Sequence, residues 1–281
     1  MNKPQLITAG VAIIIVIGLY ASTQKKIFGP PENKKSIVAT KPATIITIDT
    51  ILFHAKENLS IGQITRLNFL EHSISRGDVK EQQLHIYHQL ARFWADSAKV
   101  FEPYAWYTAE GARLVNSEKS LTFAAHLFLN SLKEEENPQV RQWEAFQAKD
   151  LFERSLKLNT SNDSAKIGLG AVYVYGGIAM PMQGIGMIRE IADKDSSNVY
   201  AQMTLGEASL MSGQLEKAIE RFKIVARQYP NHLEAVIRVA ETAEQLGNNQ
   251  EAIGWYQKSL PLIENAAIRE EVEARIAKLN K

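Results

Sequence analysis

The chain has 281 residues, 45% hydrophobic and 22% charged, the balance of a globular protein of one or two domains that can bury a sizeable core. It contains no cysteine, which excludes disulfides, thiol nucleophiles and cysteine-held metal or iron–sulfur sites. Six lysines against Glu32 give residues 1–41 a charge of +5, and the total of +1 leaves −4 on the rest, so the folded part lacks the basic footprint of a nucleic-acid binder.

Residues 6–21 form an apolar run without charge, read as a transmembrane anchor within residues 1–23. The run is shorter than the ~20 residues of a comfortable span and longer than many signal-peptide cores. Tyr20 at its edge and Lys25 and Lys26 beyond suit an interfacial stop. Cleavage after Ala21 is the rival, leaving a secreted module. The isoleucine-rich run without a clean A-x-A favours the uncleaved anchor. Lysines after the span argue for a cytoplasmic domain, whereas a very short N-terminal tail argues for export. The expectation is an extracytoplasmic helical domain.

Residues 24–48 hold Gly29, Pro30, Pro31, Lys41 and Pro42 and read as a linker. A helix from Asp49 through Phe53, Ala55 and Leu59 competes with a short strand over 45–51, and the helix is the expectation. Residues 49–160 then follow a helical pattern. Ile61, Ile64, Leu67, Leu70 and Ile74 recur at helical spacing, with Gly77 as a stop. Leu84, Tyr87, Leu90 and Trp94 mark the next helix. Residues 104–114, 121–132 and 140–158 give three more, with Pro138 suited to a first turn. The acidic stretch at Glu134, Glu135 and Glu136 reads as a solvated face between two of them.

From residue 163 to 265 a pattern recurs every 34 residues. Leu205 and Gly206 align with Val239 and Ala240, Gly213 with Gly247, and Phe222 with Tyr256, while Gly184 and Ile188 precede Ala218 and Phe222 by the same 34. A helix pair with two short turns uses roughly 34 residues. Small residues such as Gly206, Ala218 and Ala240 mark close helix approach, and Phe222 and Tyr256 fill the gaps between units. Asn231 with Glu234 reads as a helix cap with its capping-box acid, and Gly213 and Gly247 as turn formers. Ala148, Phe152 and Leu156 repeat the pattern upstream at an offset of 36, the two extra residues falling in the turn 176–181. Residues 266–281 read as a capping helix.

Leu205, Gly206, Ala218, Phe222, Val225, Ala226 and Pro230 resemble the tetratricopeptide-repeat (TPR) family, and the whole chain resembles its membrane-anchored bacterial members. The resemblance implies an all-α fold, a right-handed α-solenoid of antiparallel helix pairs behind a single transmembrane helix. It also implies a non-enzymatic scaffold that binds protein or peptide partners on a concave face, in envelope assembly or secretion at the bacterial inner membrane. In the family the first helix of each pair lines the groove. Carried onto this chain, the groove candidates are Ile167, Ala171 and Tyr175, then Tyr200, Met203 and Glu207, then Ile237, Glu241 and Glu244. The Lys, Asn and Arg set with which some members clamp a C-terminal carboxylate is missing from these positions. An apolar and acidic groove prefers a basic or amphipathic segment.

Other constellations carry less. Gly168, Gly170, Gly176, Gly177, Gly184 and Gly186 miss the G-x-G-x-x-G spacing, because Tyr173 stands at the third glycine position. They read as helix-contact and turn glycines. Glu81, His85 and His88 share one helical face and are the basis of an alternative, a metal-binding or enzymatic helical protein. A trio on one helix rarely closes a coordination sphere, and no H-E-x-x-H is present. His54, His72, His126 and His232 suggest no triad. Trp94, Trp106, Tyr107, Trp143 and Tyr173 read as core. No catalytic residue, metal or cofactor is expected, and no nucleic acid or small-molecule substrate.

Overall fold

The computed structural model describes residues 46–74 and 79–280. The apolar run 6–21, most of the linker and the Gly77 stop lie outside these residues. Among the described residues every element is helical, and no helix is long and apolar enough to cross a membrane.

The elements run α1 (Ile48–Glu57), α2 (Ile61–Ile74), α3 (Lys80–Arg92), a π-helical turn (Phe93–Ala98), α4 (Phe101–Val115), α5 (Glu118–Glu134), α6 (Pro138–Leu158), α7 (Asp163–Tyr175), α8 (Pro181–Lys194), α9 (Val199–Met211), α10 (Leu215–Gln228), α11 (Leu233–Gln245), α12 (Asn249–Ser259), a 3₁₀ turn (Leu260–Leu262) and α13 (Ala266–Leu279). Helices pack in sequence as pairs α3/α4, α5/α6, α7/α8, α9/α10 and α11/α12, and each pair leans on the next. No single centre holds the fold. One core cluster joins α1 and α4 to α7, one joins α1 to α4, one α7 to α9 and one α9 to α13. Each pair is thus core for its neighbour, as one-dimensional stacking requires.

The close approaches are written in glycine. A Cβ on Gly206 would stand 2.4 Å from the Phe222 ring, and one on Gly168 2.3 Å from that of Phe152. Where α7 crosses α8, a Cβ on Gly184 would stand 2.1 Å from the carbonyl oxygen of Gly170. Ala218, Ala240 and Phe222 are fully buried. Gly213 and Gly247 turn between paired helices at φ +71° and +76°, conformations open to glycine without strain. The turn 176–180 between α7 and α8 is two residues longer than 212–214 between α9 and α10, which accounts for the offset of 36.

One expectation holds and two change. The helix expected near residue 49 stands over the strand, beginning at Ile48 with Thr47 as its cap. The cap of α11 is His232 rather than Asn231, its Nδ1 accepting from the Ala235 amide at 3.2 Å. It stands 34 residues beyond Asn198, which caps α9 by accepting from Ala201 at 3.0 Å, so repeat register outweighs the local capping-box pattern. Finally, α3 ends at Arg92, and Trp94 lies in the π-turn that continues it and is closed by Lys99 at φ +56°. Phe93 and Trp94 are buried there, at ring centroids 5.3 Å apart.

Candidate binding face

The first helices of successive pairs, α5, α7, α9 and α11, bring side chains far apart in sequence onto one face. Glu207 on α9 is its hub. Its Oε2 accepts from Lys133 Nζ of α5 at 3.2 Å and from the Tyr175 hydroxyl of α7 at 3.3 Å. Its Oε1 lies 3.9 Å from Arg238 of α11. Arg238 also meets Glu241 at 3.3 Å, and Lys133 stands 5.1 Å over the Tyr175 ring. Two turns along, the His126 ring of α5 lies 5.6 Å from that of Tyr200 and hydrogen-bonds the Ser164 hydroxyl at 3.1 Å. The strip therefore crosses four pairs.

Burial sets the electrostatics. It pushes the Tyr175 and Tyr200 hydroxyls above the ordinary phenol range, with the Glu207 carboxylate adding to the rise. Among the described residues the buried Tyr200 hydroxyl has no hydrogen-bond partner. Burial, then the Lys133 ammonium, pulls His126 below the usual imidazole value, which favours the neutral ring. The pairing of His126 with Ser164 ties α5 to α7, and no carboxylate among the described residues bonds the other ring nitrogen.

The groove candidates divide. Tyr175, Tyr200, Glu207, Ile237, Glu241 and Glu244 keep partial exposure. Ile167, Ala171 and Met203 are 1%, 0% and 7% exposed and belong to the clusters between pairs. Those three are core, because the helix faces that carry them are closed by the neighbouring helices. Glu244 is tied sideways, to Arg275 of α13 at 2.7 Å and to the Tyr256 hydroxyl at 3.0 Å. The expected acidic groove is thus corrected to a paired one: Glu207, Glu241 and Glu244 each meet a cation of this chain. A shallow cleft of about 520 Å³ opens beside the strip, lined by Leu233, Glu234, Ile237, Arg238 and Glu241.

Lys133 and Arg238 escaped the sequence reading. Lys133 looked like the edge of an acidic run, and its 74-residue separation from Glu207 leaves no local trace. Arg238 had a signal, its three-residue spacing from Glu241 on one helix. Glu81, His85 and His88 lie exposed on α3. His85 bonds Gln89 at 2.8 Å, and no three-residue metal-ligand group occurs among the described residues. Gly168, Gly170 and Gly184 meet side chains and backbone of adjoining helices, as expected of contact glycines.

No family model matches the chain, and no curated protein does. Solved structures do resemble it. A structure titled MamA 41-end, from Desulfovibrio magneticus RS-1, shares 19% identity over 66% of this chain and 96% of its own, with a TM-score of 0.44. YrrB, described as a TPR protein with an unusual peptide-binding site, shares 16% over 73% of this chain and 97% of its own, with a TM-score of 0.40. What defines the fold is internal: antiparallel helix pairs stacked in sequence, repeating at 34 residues between α9/α10 and α11/α12, with Gly206 against the Phe222 ring in the first and their counterparts Ala240 and Tyr256 in one core cluster in the second. The described chain is an all-α solenoid of antiparallel helix pairs.

Proposed function

We propose that this chain is a membrane-tethered scaffold without chemistry of its own, holding a protein or peptide segment along the first helices of its pairs in envelope assembly or secretion. The observation that carries the reading is the strip from His126 to Glu241, where aromatic, cationic and acidic side chains of four pairs share one face. An extended segment fits such a surface, with apolar anchors entering the cleft at Leu233 and Ile237 and polar groups meeting the rim. The apolar run 6–21 supplies the tether. Confinement at a bilayer raises the local concentration of the face towards membrane partners.

The test is crosslinking capture from native membranes, comparing the wild-type chain with Ile237→Asp/Glu241→Lys. Capture is expected to fall by about tenfold, as for the loss of an interface anchor, with helicity unchanged. Recovery of the same partners at the same yield rejects the face. Deletion of residues 6–21 is expected to move the protein out of the membrane fraction, and its retention there rejects the tether.

A further inference from the structure

A cleft of about 640 Å³ opens between the second helices α8 and α10, over α9. Its α9 side is Leu205, Ala208 and Ser209, with Ser212 just past the end of the helix. At about 100° per residue Leu205 and Ser209 fall on the side of α9 away from Glu207 and Ala208 more than a quarter-turn from it, so the cleft is separate from the face described above. Its floor is apolar, built from Met182, Ile185, Leu205 and Ile224, and its rim carries Arg189, Lys217 and Arg221.

The rim charge is unspent. Arg189 has no ion pair among the described residues, Lys217 bonds the Gln214 amide oxygen at 2.6 Å, and Arg221 that of Gln202 at 2.9 Å. Two carboxylates also line the cleft. Glu220 already meets Lys223 at 3.3 Å, and Glu216 sits in the first turn of α10, where a negative charge complements the helix dipole. Three cations with no carboxylate bound to them thus overlook an apolar floor. The apolar surface continues over the lip, where Met182 is 65% exposed and Met180, two residues earlier, 76%. Exposed, unbranched thioethers make an adaptable contact surface, and cations set along an apolar floor suit the mixed side chains of a peptide.

We infer that this cleft is a second docking site, for an acidic peptide segment that sets apolar side chains on the Met182–Ile185–Leu205 floor and its carboxylates against Arg189, Lys217 and Arg221. Opposed charges at the rim give such a contact its selectivity.

The probe is a fluorescein-labelled peptide alternating leucine and glutamate, titrated by anisotropy against the full-length chain in detergent. Comparison peptides replace leucine with serine or glutamate with lysine, and decanoate serves as a competitor. The leucine–glutamate peptide is expected to bind. Affinity should drop about tenfold in Arg189→Glu/Lys217→Glu and in Met182→Asp, and hold in Ile237→Asp. That last variant separates this site from the first-helix face. Absence of binding, equal binding of the serine or lysine peptide, or indifference to Arg189→Glu/Lys217→Glu overturns the assignment. So does full displacement by decanoate, which would mark a small-amphiphile site instead.

Discussion

Glu144 shows how much one residue can concentrate. It lies on α6, fully buried, and neither carboxylate oxygen has a hydrogen-bond partner among the described residues. Burial pushes its pKa up to about 8, and the Glu135 and Glu102 carboxylates add to the rise. Ser131 and Arg141 oppose it, though the Ser131 hydroxyl does not reach hydrogen-bond geometry. The folded chain therefore holds this proton where the unfolded chain releases it, and the sign follows by linkage. The stabilising contribution is full below the ordinary glutamate value of 4.5 and is lost as pH rises to about 8, at up to ~1.4 kcal/mol per pH unit in that window. Urea midpoints of wild type and Glu144→Gln between pH 5 and 8.5 should diverge, the wild type losing stability that the variant keeps. Parallel profiles would show a carboxylate that titrates normally.

At the scale of elements, the α7–α8 crossing sets a sharp contrast within one helix. A methyl on Gly184 would meet the Gly170 carbonyl, a backbone group that cannot rotate aside, whereas one on Gly186 has nothing within 4 Å. Gly184→Ala is expected to cost ~1–3 kcal/mol by forcing the helices apart. Gly186→Ala should gain ~0.5–1 kcal/mol from helix propensity. Chemical denaturation of the two single variants reads both, and equal effects would place the helices further apart than this crossing. Elements of this kind were largely legible in the sequence. The 34-residue recurrence, the turns at Gly213 and Gly247 and the glycine–aromatic contacts all leave local marks, since each needs a small or left-handed residue at a set position. The strip on the first helices left fewer. Ile167, Ala171 and Met203 share helices with residues that stay partly exposed, and which side of a helix is closed depends on neighbours that the helix itself does not name. Lys133 joins the face through the stacking of pairs, which spacing along the chain does not encode.

At the largest scale residues 46–280 stack pair upon pair, and α13 packs on the last of them. Val272 of that helix is buried in the α9–α13 cluster together with Tyr256 and Ile263, and Arg275 holds Glu244. Ending the chain at Asn265 should strip protection from α11 and α12 first and leave α5 and α6 nearly unchanged, because stability in a linear array passes between neighbours. Hydrogen exchange by mass spectrometry follows each helix, and uniform loss along the chain would mean that the stack unfolds as one body.

A linear array is ordinarily free to gain or lose a unit, since every junction resembles the next. Glu207 withdraws that freedom over one stretch. Its carboxylate is reached from one side by an ammonium two pairs earlier and from the other by a guanidinium one pair later. Arg238 would keep Glu241 of its own helix, but excising or inserting a copy between α5 and α9 would part Lys133 from its counter-charge. A change of copy number in that interval therefore carries an electrostatic cost, up to ~1 kcal/mol for a partly exposed pair, that changes elsewhere in the stack escape.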